Sequence, residues 1–188
     1  MKVELSSLAL LSLLAGCGAA LTATDPAGDE PAVEEGPREL PDAPIELSIH
    51  VPHAGFIEIG ELRGRAGLLF FFSTWDGMSQ AMLTPLALVT EAYPECFFVG
   101  VAIQPDARSL VDAWAYALEP PFPVGWEPRD TLTGDRSPVG PVDAVPTIVT
   151  VDASGRPVER ATGLLQPSEI DAMVARAIAR SKRPGERR

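Results

Sequence analysis

The sequence predicts an α/β domain in which buried strands alternate with helices around a mixed β-sheet, preceded by an N-terminal β-hairpin. Two continuous apolar runs, GLLFFFS at 67–73 and CFFVGVAI at 96–103, are typical of strands buried on both faces. Each run is followed by a segment with helical character, at 77–92 and at 107–118. A strand–turn–strand pattern at 147–161 then precedes a final helix. This alternation is the pattern of α/β domains.

The predicted hairpin contains both histidines of the chain. Residues 45–51 and 56–59 alternate apolar and polar side chains on either side of a Pro-His-Ala-Gly turn. Two histidines are too few ligands for a closed metal site. We expect His50 and His53 to be solvent-exposed residues of the turn region. We therefore expect no metal and no cofactor, with a copper or zinc carrier site built from His50, His53 and Asp76 as the alternative.

The helix predicted at 77–92 contains a proline. Met78, Met82, Leu86 and Val89 lie at helical spacing and indicate one apolar face. Pro85 lacks a backbone N–H and is expected to kink this helix.

The C-terminal third of the predicted domain is harder to assign. Residues 120–146 are rich in Pro and Gly and give no clear element. Strands are predicted at 147–151 and 158–161, joined by an Asp-Ala-Ser-Gly turn. The last helix is predicted to start near Ser168, which with Asp171 resembles a capping box. Its apolar face consists of Ile170, Met173, Val174, Ala177 and Ile178.

Composition and charge exclude some functions. Of the 188 residues, 46% are hydrophobic, which is typical of a folded protein. The formal net charge of -11 argues against nucleic-acid binding, because that function requires a basic surface that neutralises phosphates. Much of the acidity precedes the predicted domain and therefore says little about its ligand.

The N-terminus has the features of a lipoprotein signal peptide. An apolar run at 5–15, too short to span a bilayer comfortably, fits a secretory signal. Leu14-Ala15-Gly16-Cys17 resembles the bacterial lipobox, which implies a signal peptide at 1–16 and lipid on Cys17. The resemblance implies a location in the cell envelope facing the periplasm, and Gly18 after the lipidated cysteine favours the outer membrane over the inner one.

Residues 17–44 are predicted to be a tether between lipid and domain. The segment from 22 to 44 is rich in Pro, Ala and acidic residues, with almost no large apolar side chain, so it cannot bury a core. The domain is predicted at 45–181, followed by a basic tail at 182–188.

The order of several motifs resembles one family. IEIGELRGRAGLLFFFSTW at 57–75 is similar to the stretch before the active site of TlpA/ResA-type thioredoxin-like proteins. Ala-Val-Pro-Thr at 144–147 resembles the cis-proline loop of that family, and 151–158 resembles its closing hairpin. The resemblance implies a thioredoxin-like three-layer sandwich, and a family activity of thiol–disulfide exchange in the cell envelope.

The chain departs from that family at the redox motif, Trp-Cys-x-x-Cys. The five corresponding positions here are Trp75, Asp76, Gly77, Met78 and Ser79. Asp76 and Ser79 then occupy the cysteine places; with the motif shifted by one residue, Gly77 and Gln80 occupy them instead. Both alignments lack a thiol.

Without thiols the family chemistry is not available. Dithiol exchange requires an attacking thiolate and a resolving thiol, and neither Asp76 nor Ser79 can supply one. The strand position where thioredoxins often hold a buried acid corresponds to Phe70. Asp76 is expected to cap the following helix. Cys96, at a predicted strand boundary, is expected to be buried and inert.

A binding groove can remain where the chemistry is lost. In the family, the backbone of the residue before the cis-proline, here Val145 before Pro146, pairs with an extended peptide. The expected groove comprises Trp75, Asp76, Val145 and Pro146. Trp75 and Trp114 are expected to be packing residues, with a groove position for Trp75 as the alternative. We therefore predict a non-catalytic module that binds a periplasmic protein or peptide. The alternative is an oxidoreductase-related enzyme with an unusual mechanism or with thiols borrowed from a partner.

Overall fold

The computed structural model describes residues 39–132, 134 and 137–182. The predicted signal peptide, the predicted lipidation site Cys17, most of the predicted tether and most of the basic tail lie outside these residues. Within the described part of the chain, none of the helices has the length and apolar content needed to cross a membrane.

The described residues form a seven-stranded mixed sheet and four α-helices, as the sequence predicts for an α/β domain. The strands are β1 (Ser48–Val51), β2 (Gly55–Glu58), β3 (Gly67–Phe72), β4 (Phe97–Ala102), β5 (Val124–Trp126), β6 (Thr147–Val151) and β7 (Pro157–Thr162). The helices are α1 (Gly77–Ala81), α2 (Leu83–Ala92), α3 (Ala107–Leu118) and α4 (Pro167–Ser181), with a short 3-10 helix at Ile59–Leu62. The strand order is β2-β1-β5-β4-β3-β6-β7.

Strands β3, β4 and β5 are parallel, and the other pairs are antiparallel. Every residue of β3 and β4 is buried, which explains why both read as continuous apolar runs. The register pairs Gly67 with Phe97 and Phe72 with Ala102, so β3 and β4 end at the same edge of the sheet. Gly67 is required by this pairing, because a Cβ there would lie 2.4 Å from the Phe97 ring.

The two faces of the sheet are covered differently. Phe70 and Phe72 point to a core that also contains the apolar faces of α2, α3 and α4. Leu69 and Phe71 point to a second core, which is closed by 45–62 and by side chains between 132 and 142. The sheet is thus the middle of three layers, and the layer on the second face consists mainly of irregular chain.

The structure corrects two predictions about helices. The segment predicted as one helix kinked at Pro85 is two helices that join at Met82. The break lies before the proline because Pro85 cannot donate to the carbonyl of residue 81, where α1 ends. The capping box of α4 is formed by Gln166 and Glu169 rather than by Ser168 and Asp171, because the helix begins one residue earlier, at Pro167.

Strand β5 was not predicted from the sequence. It is three residues long, follows a Pro-rich stretch, and lies between β1 and β4. Gly125 allows this insertion, because a Cβ there would lie 2.1 Å from the carbonyl oxygen of His50 in β1. The contact joins the N-terminal hairpin to the parallel part of the sheet.

Candidate functional site

The candidate site lies where the chain leaves β3 at the carboxyl edge of the sheet. Gln104, which follows β4, holds this turn. Its Oε1 accepts hydrogen bonds from the Ser73 hydroxyl (3.0 Å) and the Thr74 N–H (2.5 Å), and its Nε2 donates to the Thr74 hydroxyl (2.6 Å). Gln104 is buried and was not singled out from the sequence. The available signal was an amide directly after a buried apolar strand.

Asp76 is the N-cap of α1, as the sequence predicts. Its Oδ2 accepts hydrogen bonds from both the backbone N–H and the hydroxyl of Ser79, each at 2.7 Å. Ser79 is fully buried, and its hydroxyl also accepts from the Ser73 N–H at 3.4 Å. The two residues that the first alignment places at the cysteine positions therefore hydrogen-bond to each other and close the turn.

This arrangement provides no thiol at the turn. Partial burial would raise the pKa of Asp76, but hydrogen bonds from the Ser79 hydroxyl and from the backbone N–H groups of Ser79 and Met78 lower it below its usual value. Asp76 is therefore a carboxylate at neutral pH. The Ser79 hydroxyl is inaccessible to a substrate. Gly77 and Gln80, the alternative pair, likewise carry no group that can exchange disulfides.

Cys96 lies at the opposite end of the sheet. It precedes Phe97, which pairs with the first residue of β3, whereas the turn follows the last. Six paired residues at about 3.3 Å each separate the two ends by roughly 20 Å. Burial and the neighbouring Glu95 carboxylate raise the pKa of the Cys96 thiol, and Arg65 only partly opposes them. Cys96 is buried and unbridged, so its sulfur remains a protonated thiol away from the turn.

The two histidines have different surroundings. His50 is half-buried and lies against the rings of Trp126 (4.3 Å) and Phe56 (4.9 Å), so the expectation that it is exposed was wrong. His53 is exposed, and its Nε2 lies 3.2 Å from a carboxylate oxygen of Asp112 in α3. Within the described ranges, His, Cys, Asp and Glu side chains do not form a group of three that could hold a metal ion.

The structure has a groove beside the turn, and two of the four residues expected there, Trp75 and Val145, line it. A depression of about 240 Å³ is lined by Trp75 on one side and by Ala144 and Val145 on the other, with Ile103 and Gln104 also contributing. Trp75 is 62% exposed, so it lines the groove instead of packing in the core. Asp76 and Pro146 flank these residues in sequence without lining the depression.

Trp114, in contrast, is a packing residue, as expected. Its ring stacks on Phe72 in the helix-covered core at 4.4 Å. Phe70 is fully buried in the same core, between the rings of Phe72 and Phe122. The position that the resemblance assigns to a buried acid is thus filled by apolar contacts.

The loop before β6 contains backbone groups that make no hydrogen bond with the described residues. The Val145–Pro146 peptide bond is cis. Pro146 is buried, and its carbonyl accepts a hydrogen bond from the Gly163 N–H at 2.8 Å. Val145 is half-buried, and its backbone N–H and C=O make no hydrogen bond with any residue that the structure describes. A strand donor and acceptor therefore remain available at this position.

Arg160 of β7 holds the chain that leads to this loop. Its guanidinium donates to the carbonyls of Val139, Gly140 and Pro141, at 3.0 Å for the last two. The segment contains no helix, so this cation satisfies carbonyls that regular structure would otherwise pair. Arg160 was not singled out from the sequence, because its partners are about twenty residues away.

Comparison with known proteins gives matches at the level of structure. No protein-family model and no curated protein matches the sequence. A thioredoxin-family thiol:disulfide interchange protein from Chlorobium tepidum TLS superposes with a TM-score of 0.61 and 20% identity, covering 74% of this chain and 98% of the other. The fold is thioredoxin-like.

Two further solved structures with a thioredoxin-like fold also superpose on this chain. A secreted Mycobacterium tuberculosis disulfide oxidoreductase homologous to E. coli DsbE has a TM-score of 0.56 and 21% identity, covering 70% of this chain and 96% of that one. The pneumococcal exposed lipoprotein thioredoxin Etrx1 from Streptococcus pneumoniae TIGR4 has a TM-score of 0.58 and 15% identity. The match covers 70% of this chain and 98% of Etrx1. These likenesses establish the thioredoxin-like fold.

Proposed function

We propose that this chain is a membrane-anchored, extracytoplasmic thioredoxin-like module that binds an extended peptide segment of a partner protein and performs no dithiol chemistry. The observation that carries this proposal is the combination of open backbone groups on Val145 with the exposed Trp75 ring across the groove. An added strand can hydrogen-bond to Val145 while one of its side chains packs on Trp75. The Asp76–Ser79 pair supplies no thiol for disulfide exchange. We therefore assign the groove the role of binding a peptide.

The proposed location rests on the N-terminal sequence pattern. Cys17 follows the lipobox-like residues, and the segment up to residue 44 has the composition of a tether. Among the structural neighbours, one is described as secreted and another as an exposed lipoprotein. We propose lipid anchoring at Cys17 and a periplasmic orientation, with the outer membrane favoured. Incorporation of a labelled fatty acid that disappears in Cys17→Ala would be the expected result, and undiminished labelling would contradict the anchor.

Selection of displayed peptides against the full chain tests the groove. We expect selected peptides to lose about tenfold or more in affinity for Trp75→Ala, because a large aromatic contact is removed. The matched control is Tyr116→Ala, which removes an aromatic ring that is 88% exposed on α3 and does not line the groove. This variant should bind as the unmodified chain does.

A scan of backbone N-methylation on the best peptide tests the mode of binding. If one peptide residue pairs as a strand with Val145, methylation should abolish binding at that residue and be tolerated at its two neighbours, because neighbouring N–H groups of a strand point to opposite sides. Peptides that bind Trp75→Ala normally, or that tolerate N-methylation everywhere, would refute the proposed groove.

A further inference from the structure

A second and larger depression adjoins the groove. It has a volume of about 540 Å³ and lies at the carboxyl ends of β4 and β5. We call it the Trp126 cleft, after the indole that lines it together with Arg108 at the start of α3. Ile103 and Gln104 line both depressions, so the cleft and the groove are contiguous. Its volume is in the range of small-ligand sites, and ligands of open α/β sheets bind outside the carboxyl ends of the strands.

The charged side chains that line the Trp126 cleft differ in whether they already have partners in the structure. Both carboxylate oxygens of Glu127 accept backbone N–H groups, from Arg129 at 2.7 Å and from Thr131 at 2.6 Å. Asp130 also has a partner. Arg108 is exposed and makes no ion pair or hydrogen bond with any residue in the described part of the chain. Glu127 and Asp130 keep their negative charge, and Arg108 is the cation among the residues that line the cleft. A guanidinium without a partner favours a carboxylate.

The Trp126 ring is held in place before any ligand arrives. His50 lies against it at 4.3 Å, and the strand pairing of His50 with Trp126 fixes the backbone. Trp126 is only partly buried against the helix-covered core, so part of a positioned flat apolar surface lines the cleft. An aromatic ligand gains most from such a surface because little side-chain freedom is lost when it binds.

We propose that the Trp126 cleft binds a carboxylate carried on an aromatic group, with the carboxylate at Arg108 and the ring against Trp126. The ligand is a free aromatic acid or the C-terminal aromatic residue of a peptide that continues from the groove. The free-acid source is independent of the proposed function, whereas the peptide source rests on it.

The three tryptophans of the chain are separate reporters for a test of this proposal. Trp126 reports on the cleft, Trp75 on the groove and the buried Trp114 on the core. Their indole N–H signals in the ¹⁵N-labelled full chain can be assigned with single Trp→Phe variants. Titration with 3-phenylpropionate should shift the Trp126 signal saturably and leave Trp114 unchanged. The neutral 3-phenylpropanamide should bind about tenfold more weakly, because the charge-assisted hydrogen bonds are lost.

Matched variants assign the effect to one cation. Arg108→Gln should weaken 3-phenylpropionate binding by about tenfold. Arg129→Gln removes an exposed arginine of the neighbouring loop that does not line the cleft, and it should leave binding unchanged. An unshifted Trp114 signal in each variant verifies that the fold is intact. A Trp126 signal that does not move, or equal affinity in both variants, overturns the proposal.

The peptide Val-Thr-Val-Thr-Phe, as free acid and as C-terminal amide, separates the two sources. If the source is a peptide, the free acid should shift Trp75 and Trp126 together, and the amide should shift Trp126 less. If 3-phenylpropionate shifts Trp126 but no peptide shifts Trp75, the cleft proposal stands with a free acid as the source, and the proposed groove function loses support. If peptides shift Trp75 while neither probe shifts Trp126, the groove stands and the cleft proposal is wrong.

Discussion

The two segments that face each other across the groove differ in how they use their polar groups. In the turn after β3, Asp76, Ser79, Thr74 and Gln104 hydrogen-bond among themselves. In the opposite loop, Val145 leaves its backbone donor and acceptor open. The turn is thus closed by its own hydrogen bonds, whereas the loop keeps backbone groups open. The proposed peptide binding depends on the loop and needs no reactive group in the turn.

Restoring thiols to the closed turn should produce the largest effect. The double variant Asp76→Cys with Ser79→Cys places a pair of thiols at the start of α1, where the helix N-terminus favours a thiolate. We expect reduction of insulin disulfides at a rate about tenfold or more above the unmodified chain, measured with excess dithiothreitol.

One control variant and two possible outcomes test this prediction. Ser79→Cys alone should stay at background, since it lacks the attacking sulfur. A folded but inactive double variant would contradict the assignment of Asp76 and Ser79 to the cysteine places. Robust turnover by the unmodified chain would refute the binding-module proposal.

Removing the contacts between Arg160 and the segment that leads to the loop should have the second largest effect. Arg160→Met leaves three carbonyls, those of residues 139 to 141, without their cation, and we expect the free energy of unfolding to fall by about 2–3 kcal/mol. Peptide affinity should fall with it, because the same segment leads to Val145. Urea denaturation measures the first quantity and peptide titration the second.

The control for Arg160→Met is the same substitution at an exposed ion pair. Arg156 pairs with Asp42 at 3.3 Å on the surface, so Arg156→Met should cost below about 1 kcal/mol and leave peptide affinity unchanged. Equal losses in both variants would show that Arg160 does not act through the loop.

Removing the cap of α1 should have the smallest effect. Asp76→Ala should lower the free energy of unfolding by about 1 kcal/mol, because an N-cap hydrogen bond is lost. Asp76→Asn keeps a capping oxygen and removes the charge.

The charge of Asp76 also predicts a pH dependence. Because the pKa of Asp76 is lowered in the folded state, the stability it contributes is present above the ordinary aspartate pKa and is lost as the pH falls through the lowered value. The difference in unfolding free energy between the unmodified chain and Asp76→Asn should therefore begin to shrink near the ordinary aspartate pKa, at about pH 4, and should stop changing only once the pH is below the lowered pKa. A difference that stays constant as the pH falls from about 6 to about 2 would contradict the assigned protonation state.

Much of the fold could be predicted because the deciding signals are local. The fully buried strands β3 and β4 are continuous apolar runs, and Asp76 precedes a helix, where a carboxylate caps free N–H groups. The missed features depend on distant partners. Strand β5 exists through pairing with β1 and β4, and the Arg160 contacts span about twenty residues. Neither has a signature within a window of ten residues.

The sequence by itself determined that the redox motif has no thiol, that the domain is α/β, and that a loop similar to a cis-proline loop precedes β6. The α/β class follows from the periodicity of apolar residues along the chain, whereas the motif position and the loop are what the family resemblance implies. Only the tertiary structure decided that Trp75 faces Val145 across a groove, that Ser79 is sealed inside the turn, and that Arg108 and Trp126 line an adjoining cleft. Each of these arrangements is a contact between elements far apart in the chain, and packing of the whole sheet and its covering layers selects it.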